Sequence, residues 1–226
     1  SRTSRRPLNP PFRSAIGVIL ALSRTQATRL RDSTACPDTL RLSPRGADER
    51  QGVNTIQTEA VTLGDGTILE VRPVLPADKP HFKEGFARLS RESRFFRFLS
   101  NKNRLTDTDL RYLTEVDGHD HYAICAFKRH PSGREEGVGV ARFVRLSDRP
   151  DTAEVAITVV DAWQKRGVGK LLYHRLVEAA RERGVRVLRS EVHEHNHGIQ
   201  KLLATVAPTT VVTRSGAVIA LELEIQ

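Results

Sequence analysis

Residues 154–183 read EVAITVVDAWQKRGVGKLLYHRLVEAARER and contain an apolar run, a basic turn and a helical pattern, in that order. Residues 154–160 are mostly apolar and rich in β-branched side chains, which predicts a buried strand. Residues 164–170, QKRGVGK, form a turn that holds two glycines and three cations. A helix is predicted over residues 171–183, so the stretch predicts a strand, a glycine turn and a helix.

The predicted helix has one apolar face. Leu172, Leu176 and Ala180 recur every four residues, a spacing that places them on one side of an α-helix. Gly184 follows as a C-terminal cap, since glycine readily adopts the left-handed conformation that ends a helix. This pattern predicts that the helix packs against the sheet to which the strand belongs.

A glycine turn between a strand and a helix is an arrangement that can bind anions. The first N–H groups of a helix have no partner within the helix and carry the positive end of its dipole. Gly167 and Gly169 let a phosphate approach the backbone, and Lys165, Arg166 and Lys170 add positive charge. The spacing fits neither a Walker loop nor the dinucleotide fingerprint. By spacing alone, a phosphate site and an ordinary basic turn remain equal alternatives.

The turn resembles the pyrophosphate-binding motif Q/R-x-x-G-x-G/A of the GNAT superfamily of N-acetyltransferases. Residues 68–204, about three-quarters of the chain with the turn included, are similar to the bacterial protein-lysine acetyltransferases of that superfamily. The resemblance implies a fold of the α+β class, also described as α/β. It implies a single domain in which helices flank a mixed, mostly antiparallel central sheet.

The resemblance also implies roles for individual residues. Glu154 is the expected general base, with Glu191 on the neighbouring strand as the second candidate. The backbone of Val159 or Val160 is expected to hold the thioester oxygen and pair with the pantetheine arm of acetyl-CoA, near Asn196. The pyrophosphate is expected on Gln164, Lys165, Arg166, Gly167, Val168, Gly169 and Lys170.

An amine acceptor explains why a carboxylate is needed. The pKa of lysine is about 10.4, so its nitrogen is protonated at neutral pH and has no lone pair for attack. A carboxylate within hydrogen-bond reach can remove that proton, and an apolar strand can raise its pKa toward neutrality. Glu154 stands in such a strand. The alternative is that Glu154 merely faces solvent.

The part of the site that is expected to bind the acceptor departs from the family pattern. Many GNAT enzymes have a tyrosine in the last helix that protonates the leaving thiolate, but residues 200–204 read QKLLA. Tyr173 lies in a different helix. The sulfur can leave as a thiolate without a proton donor, because the thiol pKa of about 8.5 is close to neutral pH. The usual Gly-Phe after this helix is replaced by Val206-Ala207-Pro208.

Composition separates the chain into two parts. Of its 226 residues, residues 1–56 hold ten arginines, no lysine and four acidic residues, a net charge of +6 in a total of +9. This part is predicted to be a disordered extension, and residues 57–226 a single acetyltransferase domain. That domain is only weakly basic, so nucleic-acid binding is not predicted. The apolar run at residues 15–22 is too short to span a membrane, and a cytoplasmic location is expected.

Two further segments admit alternatives. His193, His195 and His197 would share one face of a continued strand, as metal ligands can. The preferred interpretation is a loop over the cofactor cleft, with no metal. Residues 90–100, SRESRFFRFLS, mix arginine with phenylalanine as RNA-stacking segments do, but a short amphipathic helix is favoured. In the resembled family this region forms the floor of the acceptor site.

The leading hypothesis is an acetyl-CoA-dependent N-acetyltransferase that modifies protein lysines. The reaction would proceed by direct attack in a ternary complex. A small-molecule amine as acceptor is the second hypothesis. A non-catalytic acyl-CoA-binding regulatory domain is the third. The sequence leaves the acceptor, the acyl-chain preference and the oligomeric state open.

Overall fold

A computed structural model describes residues 58–226, and the predicted extension at residues 1–56 lies outside the described residues. The strands are β1 Glu59–Thr62, β2 Ile68–Pro73, β3 His121–Arg129, β4 Glu135–Arg145, β5 Thr152–Val159, β6 Val187–His193, β7 Thr210–Ser215 and β8 Val218–Glu224. The helices are α1 Lys79–Ala87, α2 Arg91–Phe98, α3 Asp107–Thr114, α4 Val168–Glu182 and α5 His197–Leu203. Short 3-10 turns span Pro76–Asp78 and Asp161–Trp163.

The strands form one mixed sheet in the order β1-β2-β3-β4-β5-β6-β8-β7. Neighbouring strands are antiparallel except β5 and β6, which are parallel and are connected through α4. A parallel pair needs such a crossover, because the chain must return to the starting edge of the sheet. The predicted mixed, mostly antiparallel sheet is confirmed.

Successive residues of β4 face opposite sides of the sheet, which separates two packed layers. On one side, Phe143 belongs to the main core with Leu172 and Leu176 of α4, all of them fully buried. On the other side, Val140 packs with Phe127 and with Phe82 of α1. The apolar stripe predicted for α4 therefore faces the sheet as expected.

Close contact between α4 and the sheet depends on Gly139 of β4. A Cβ at this position would lie 2.9 Å from Leu172 Cδ1 and 3.2 Å from the Thr158 carbonyl oxygen. Helix α4 begins at Val168, three residues earlier than the sequence predicts, because Gly167 serves as its N-cap with φ of +90°. Gly169 and Lys170 therefore lie in the first turn of the helix.

Polar side chains cap α2 and α3, the helices that cover the second face. Ser90 accepts a hydrogen bond from the Ser93 amide at the start of α2. Thr106 and Asp109 form a reciprocal capping box at the start of α3, which buries Leu110 and Leu113. Among the helices of residues 58–226, none has both the length and the hydrophobicity that a membrane crossing requires.

Candidate active site

Strands β5 and β6 separate immediately after Glu154. Their register pairs Thr152 with Val187, Ala153 with Leu188 and Glu154 with Arg189, although β5 continues to Val159 and β6 to His193. Beyond this point, Ser190 Oγ donates to the Val155 carbonyl oxygen at 3.3 Å. The remainder of β5 therefore borders a wedge-shaped gap in the sheet.

Backbone groups of β5 face this gap at alternate residues. The Val160 amide donates to the Val138 carbonyl oxygen at 3.0 Å, so its N–H belongs to the β4 side of the sheet. Donors alternate along a strand, and the Val159 N–H accordingly faces β6 and the gap. Of the two backbone donors expected for a thioester oxygen, Val159 has the suitable direction and Val160 does not. Val160 instead contributes to the lining of the adjacent pocket.

Gln164 connects the end of β5 to helix α2. Its Nε2 donates to the Val159 carbonyl oxygen at 3.1 Å and lies 3.2 Å from Ser93 Oγ. Ser93 Oγ in turn donates to Asp161 Oδ1 at 2.9 Å, and the Ser90 amide donates to Asp161 Oδ2 at 3.0 Å. The first residue of the glycine motif thus holds neighbouring elements in place.

The N-terminus of α4 opens beside the gap. Lys165 and Gly167 both adopt positive φ, at +59° and +90°, which turns the chain sharply into the helix. The first intrahelical bond of this turn runs from the Leu171 amide to the Gly167 carbonyl oxygen at 2.9 Å. The preceding amides have no helical acceptor by geometry, and they belong to Val168, Gly169 and Lys170. Lys165 and Lys170 are exposed beside them.

Arg166 is directed away from these amides. Its guanidinium bonds Asp65 Oδ2 at 2.7 and 3.0 Å and Thr67 Oγ1 at 3.0 Å, both in the β1–β2 turn. It also lies 4.2 Å from the centre of the Trp163 ring. The side chain of Arg166 therefore braces the loop against the turn. The contact with a pyrophosphate that the resemblance implies for Arg166 stays a prediction.

Glu154 lies on the sheet face that α2 and α3 cover. It shares this face of β5 with Ala156 and Thr158, and its carboxylate interacts electrostatically with Arg97 of α2 and Tyr112 of α3. Burial lowers the pKa of Arg97, while Tyr112 and Glu154 oppose this shift. Burial likewise raises the pKa of the Tyr112 hydroxyl. The candidate base is thus part of a charged, half-buried cluster.

Arg142 of β4 belongs to the same cluster and interacts electrostatically with Arg97. It lies opposite Ala156 on β4 and is 3% exposed. Its guanidinium donates to the Leu113 carbonyl oxygen at 2.9 Å and lies 3.0 Å from His121 Nε2. Burial and the neighbouring charge of Arg97 lower the pKa of Arg142 to about 9. Arg97 belongs to the segment 90–100 that the resemblance placed at the floor of the acceptor site. Arg142 was not predicted, although an arginine within the apolar run 138–144 was the available signal.

His121 is held neutral in this environment. Burial, followed by the charge of Arg142, lowers the pKa of His121 to about 4, and its ring stacks 4.8 Å from Tyr112. A neutral imidazole can accept the hydrogen bond of a guanidinium, which a protonated ring cannot. The His121 ring therefore acts as an acceptor for Arg142.

Glu191 and Asn196, the other predicted site residues, already have structural partners. Glu191 Oε1 lies 3.7 Å from the Arg189 guanidinium, and its side chain is 15% exposed. The Asn196 side chain caps α5 by accepting from the Ile199 amide at 3.3 Å. Both lie on the β6 side of the gap, across from Glu154.

Tyr173 reaches toward α5 although it belongs to α4. Its hydroxyl donates to the Leu203 carbonyl oxygen at 3.5 Å, and the side chain is fully buried. Burial raises the pKa of this hydroxyl. These contacts indicate a packing role between the two helices.

The histidine segment contacts aromatic side chains. The His193 ring lies 5.6 Å from Phe95 and 5.8 Å from Phe96 of α2, and 5.2 Å from His195. Within residues 58–226, no three His, Cys, Asp or Glu side chains come together as a metal ion would require. These contacts join α2 to the end of β6 across the gap.

Comparison with known proteins gives the family. Residues 87–205, more than half of the chain, match the acetyltransferase (GNAT) family. The chain belongs to the GNAT acetyltransferase family. The match covers α2, α3, the gap between β5 and β6, and the glycine loop.

Two relatives extend this assignment within the GNAT family. The chain is 33% identical over 143 residues to Acetyltransferase Pat of Mycolicibacterium smegmatis, covering 63% of this chain and 42% of that protein. Its structure resembles the GNAT domain of PAT from S. lividans with a TM-score of 0.66 and 30% identity, covering 74% and 97% of the two chains. The fold and the family therefore agree.

A third relative is longer than this GNAT chain. The cAMP-binding acyltransferase from Mycobacterium smegmatis matches with a TM-score of 0.51 and 28% identity, over 76% of this chain and 48% of that protein. The chain thus spans less than half the length of this acyltransferase and of the Pat relative.

Proposed function

We propose that this GNAT acetyltransferase transfers the acetyl group of acetyl-CoA to the side-chain amine of a lysine in a protein, with Glu154 as general base. The observation that carries the proposal is the separation of β5 and β6 directly after Glu154. This separation leaves a gap between the candidate base and the N-terminus of α4. The resemblance to protein-lysine acetyltransferases, and the similarity to two proteins named Pat, support a protein acceptor.

The residues present fit acetyl-CoA as a substrate. The N-terminal amides of α4, with Lys165 and Lys170 exposed beside them, suit a pyrophosphate because helix N-termini favour anions. The backbone of Val159 faces the gap where the pantetheine arm is proposed to lie. A Cβ at Gly169 would stand 3.6 Å from Val159 Cγ2 and 3.5 Å from Leu202 Cδ2.

The proposed reaction is a direct transfer in a ternary complex. Glu154 takes a proton from the lysine ammonium, directly or through one water, and the neutral nitrogen then attacks the thioester carbonyl carbon. The Val159 N–H is the proposed donor to the negative charge that develops on the carbonyl oxygen. The C–N bond forms, the attacking nitrogen releases its second proton to solvent, and the C–S bond breaks. The CoA sulfur leaves as a thiolate, since its pKa of about 8.5 makes an anionic leaving group accessible.

The test compares Glu154→Gln with Glu191→Gln. Acetyl-CoA binding is measured by isothermal titration, and acetylation of lysine-containing proteins and peptides is measured in single turnovers. We expect Glu154→Gln to bind acetyl-CoA as the parent does and to lose about 10²- to 10⁴-fold in rate, the usual contribution of a general base. Glu191→Gln should retain most of the parental rate.

Other outcomes distinguish the alternatives. Loss of rate in Glu191→Gln alone would assign the role of general base to Glu191. Turnover of small amines without turnover of any protein lysine would favour a small-molecule acceptor. A parent that binds acetyl-CoA and acetylates neither class would be a non-catalytic acyl-CoA-binding domain.

A further inference from the structure

A pocket lies beside Glu154, between the sheet and the helices α1 to α3. It encloses about 80 Å³, and most of its lining is apolar. Helices α1 and α2 contribute aromatic walls, and β4 and β5 form the floor with Val140, Ala156 and Thr158. Two guanidiniums, those of Arg97 and Arg142, also line the space. Charged side chains are unusual in the lining of an apolar pocket, and this pocket has two.

Arg142 is the more unusual of the two because no acidic residue in the described part of the chain pairs with its charge. Its polar contacts are the neutral Leu113 carbonyl and the neutral ring of His121. Among residues 58–226, no aspartate or glutamate forms an ion pair with it. Buried charges in proteins are normally paired, since desolvating a lone ion is expensive. The fold thus maintains a buried cation at the floor of the pocket.

Two other arginines with little exposed side chain, Arg72 and Arg189, show the ordinary arrangement. Arg72, of which 12% of the side chain is exposed, has Asp78 at 2.7 Å. Arg189, at 8%, has Glu222 at 3.1 Å. Arg142 differs from these two arginines in that no carboxylate among residues 58–226 pairs with it.

Arg97 adds a second positive charge from the α2 side. It stacks 5.0 Å from the Phe98 ring centre, and Glu154 acts on it electrostatically. Counted over the described residues, one carboxylate and two guanidiniums give the local cluster one excess positive charge. A ligand that brings one negative charge would balance it.

We propose that the pocket recognises a carboxylate that accompanies the reactive amine of the acceptor. This inference rests on the proposed function, because it identifies the acceptor class of the same site. Arginine suits this role, since its planar guanidinium can donate two parallel hydrogen bonds to a carboxylate. In a protein acceptor the carboxylate is an aspartate or glutamate side chain close to the target lysine.

The same charges oppose acceptors of the wrong type. A lysine with basic or neutral neighbours would bring only positive charge to a cluster that already has an excess of it. An acidic neighbour removes this repulsion and satisfies Arg97 and Arg142. The attraction to a carboxylate and the repulsion of unaccompanied cations therefore select the same acceptors.

The test uses two lysine peptides that differ only in whether aspartate or alanine flanks the lysine. We expect the parent to prefer the acidic peptide by about tenfold or more in kcat/KM, the effect of one charge-assisted hydrogen bond. Arg97→Gln should reduce this ratio toward one, and Arg97→Lys, which keeps the charge, should preserve part of it. Arg91→Gln makes the same charge change at an exposed position of α2 and should leave the ratio unchanged.

The ratio separates recognition from catalysis, because a general effect of Arg97 on Glu154 changes both peptides alike. No preference in the parent, or an undiminished preference in Arg97→Gln, would overturn the proposal. A free amino acid in place of the acidic peptide shows whether the carboxylate of a small molecule serves equally well. Faster turnover of the free amino acid supports the same carboxylate site with a small acceptor.

A binding measurement keeps the inference testable if no acceptor is turned over. N-acetylglutamate carries carboxylates and no reactive amine, and it is titrated into the parent in the presence of CoA. We expect measurable binding to the parent and to Arg91→Gln, and at least severalfold weaker binding to Arg97→Gln. Equal affinities in all three would refute the carboxylate site. Failure of turnover with this binding intact would refute only the proposed function.

Discussion

Arg166 Nη2 lies 2.7 Å from Asp65 Oδ2, so the arginine of the glycine loop is bound to the turn between β1 and β2. The backbone N–H of Thr67, and then the guanidinium, lower the pKa of Asp65 to about 2. The pair therefore stays ionised throughout the physiological range. The pair ties the loop at the start of α4 to the turn between β1 and β2, the first two strands in the sheet order.

The first prediction concerns this pair. Asp65→Ala and Arg166→Ala should each destabilise the fold only slightly, because the pair is exposed to solvent and its attraction is screened. If Arg166 only braces the loop, its loss should weaken acetyl-CoA binding less in the Asp65→Ala background than in the parent. Isothermal titration of the four proteins measures this coupling. An equal loss in both backgrounds would instead show that Arg166 contacts the ligand directly.

A second prediction concerns Gln164. Replacing it by leucine removes the hydrogen bonds to the Val159 carbonyl and to Ser93, which hold the end of β5 and α2 together. We expect an increase of roughly three- to tenfold in the KM for acetyl-CoA, in line with one or two hydrogen bonds of about 1 kcal/mol. Ser93→Ala, which keeps the bond to Val159, should have the smaller effect in steady-state kinetics. The reverse order would indicate that α2 alone carries the contribution.

Gly139 and Gly137 form a matched pair on β4 for a third prediction. Gly139→Ala should destabilise the fold by about 1–3 kcal/mol, since the new methyl group would overlap Leu172 of α4. At Gly137 the nearest atom to an added Cβ is His81 Cβ at 3.7 Å, an ordinary contact. Gly137→Ala should therefore be within about 1 kcal/mol of the parent. Urea denaturation compares them, and similar losses would contradict the packing of α4.

The fourth prediction concerns pH. Since the pKa of His121 is lowered from 6.5 to about 4 in the fold, the unfolded chain binds more protons between these values. Stability should thus fall as pH decreases from about 6.5 to 4, with a contribution from His121 of at most roughly 3 kcal/mol. Free energies of unfolding at pH 7 and pH 5 measure the loss. His121→Gln should show less of it, and His119→Gln, at an exposed position, should behave as the parent.

The sequence predicted the order of elements around the glycine turn because local patterns determine them. The β-branched run before the turn and the four-residue period after it each specify one element. The gap beside β5 could not be predicted in this way. It depends on where the pairing of β5 with β6 ends, which is a tertiary property of strands separated by α4.

The predicted site residues show the same limit. Which way an amide points depends on strand pairing, so sequence could not decide between Val159 and Val160. Side-chain partners are equally non-local: Arg166 bonds a turn about one hundred positions earlier in the chain. Arg97 and Arg142 come from α2 and β4, and only the folded sheet brings them to one pocket. Glu154 remains the proposed base, supported by its place at the start of the gap.

The separation of β5 and β6 has a consequence for how the protein withstands heat and proteases. The strands beyond α4 are joined to the rest of the sheet through pairs at Thr152, Ala153 and Glu154. A substrate that fills the opening would supply part of the missing connection and act as a structural element of the sheet. At one hundred times its dissociation constant, such a ligand adds about 2.7 kcal/mol to the free energy of unfolding. The cellular level of acetyl-CoA would then affect the lifetime of the protein as well as its proposed rate of acetyl transfer.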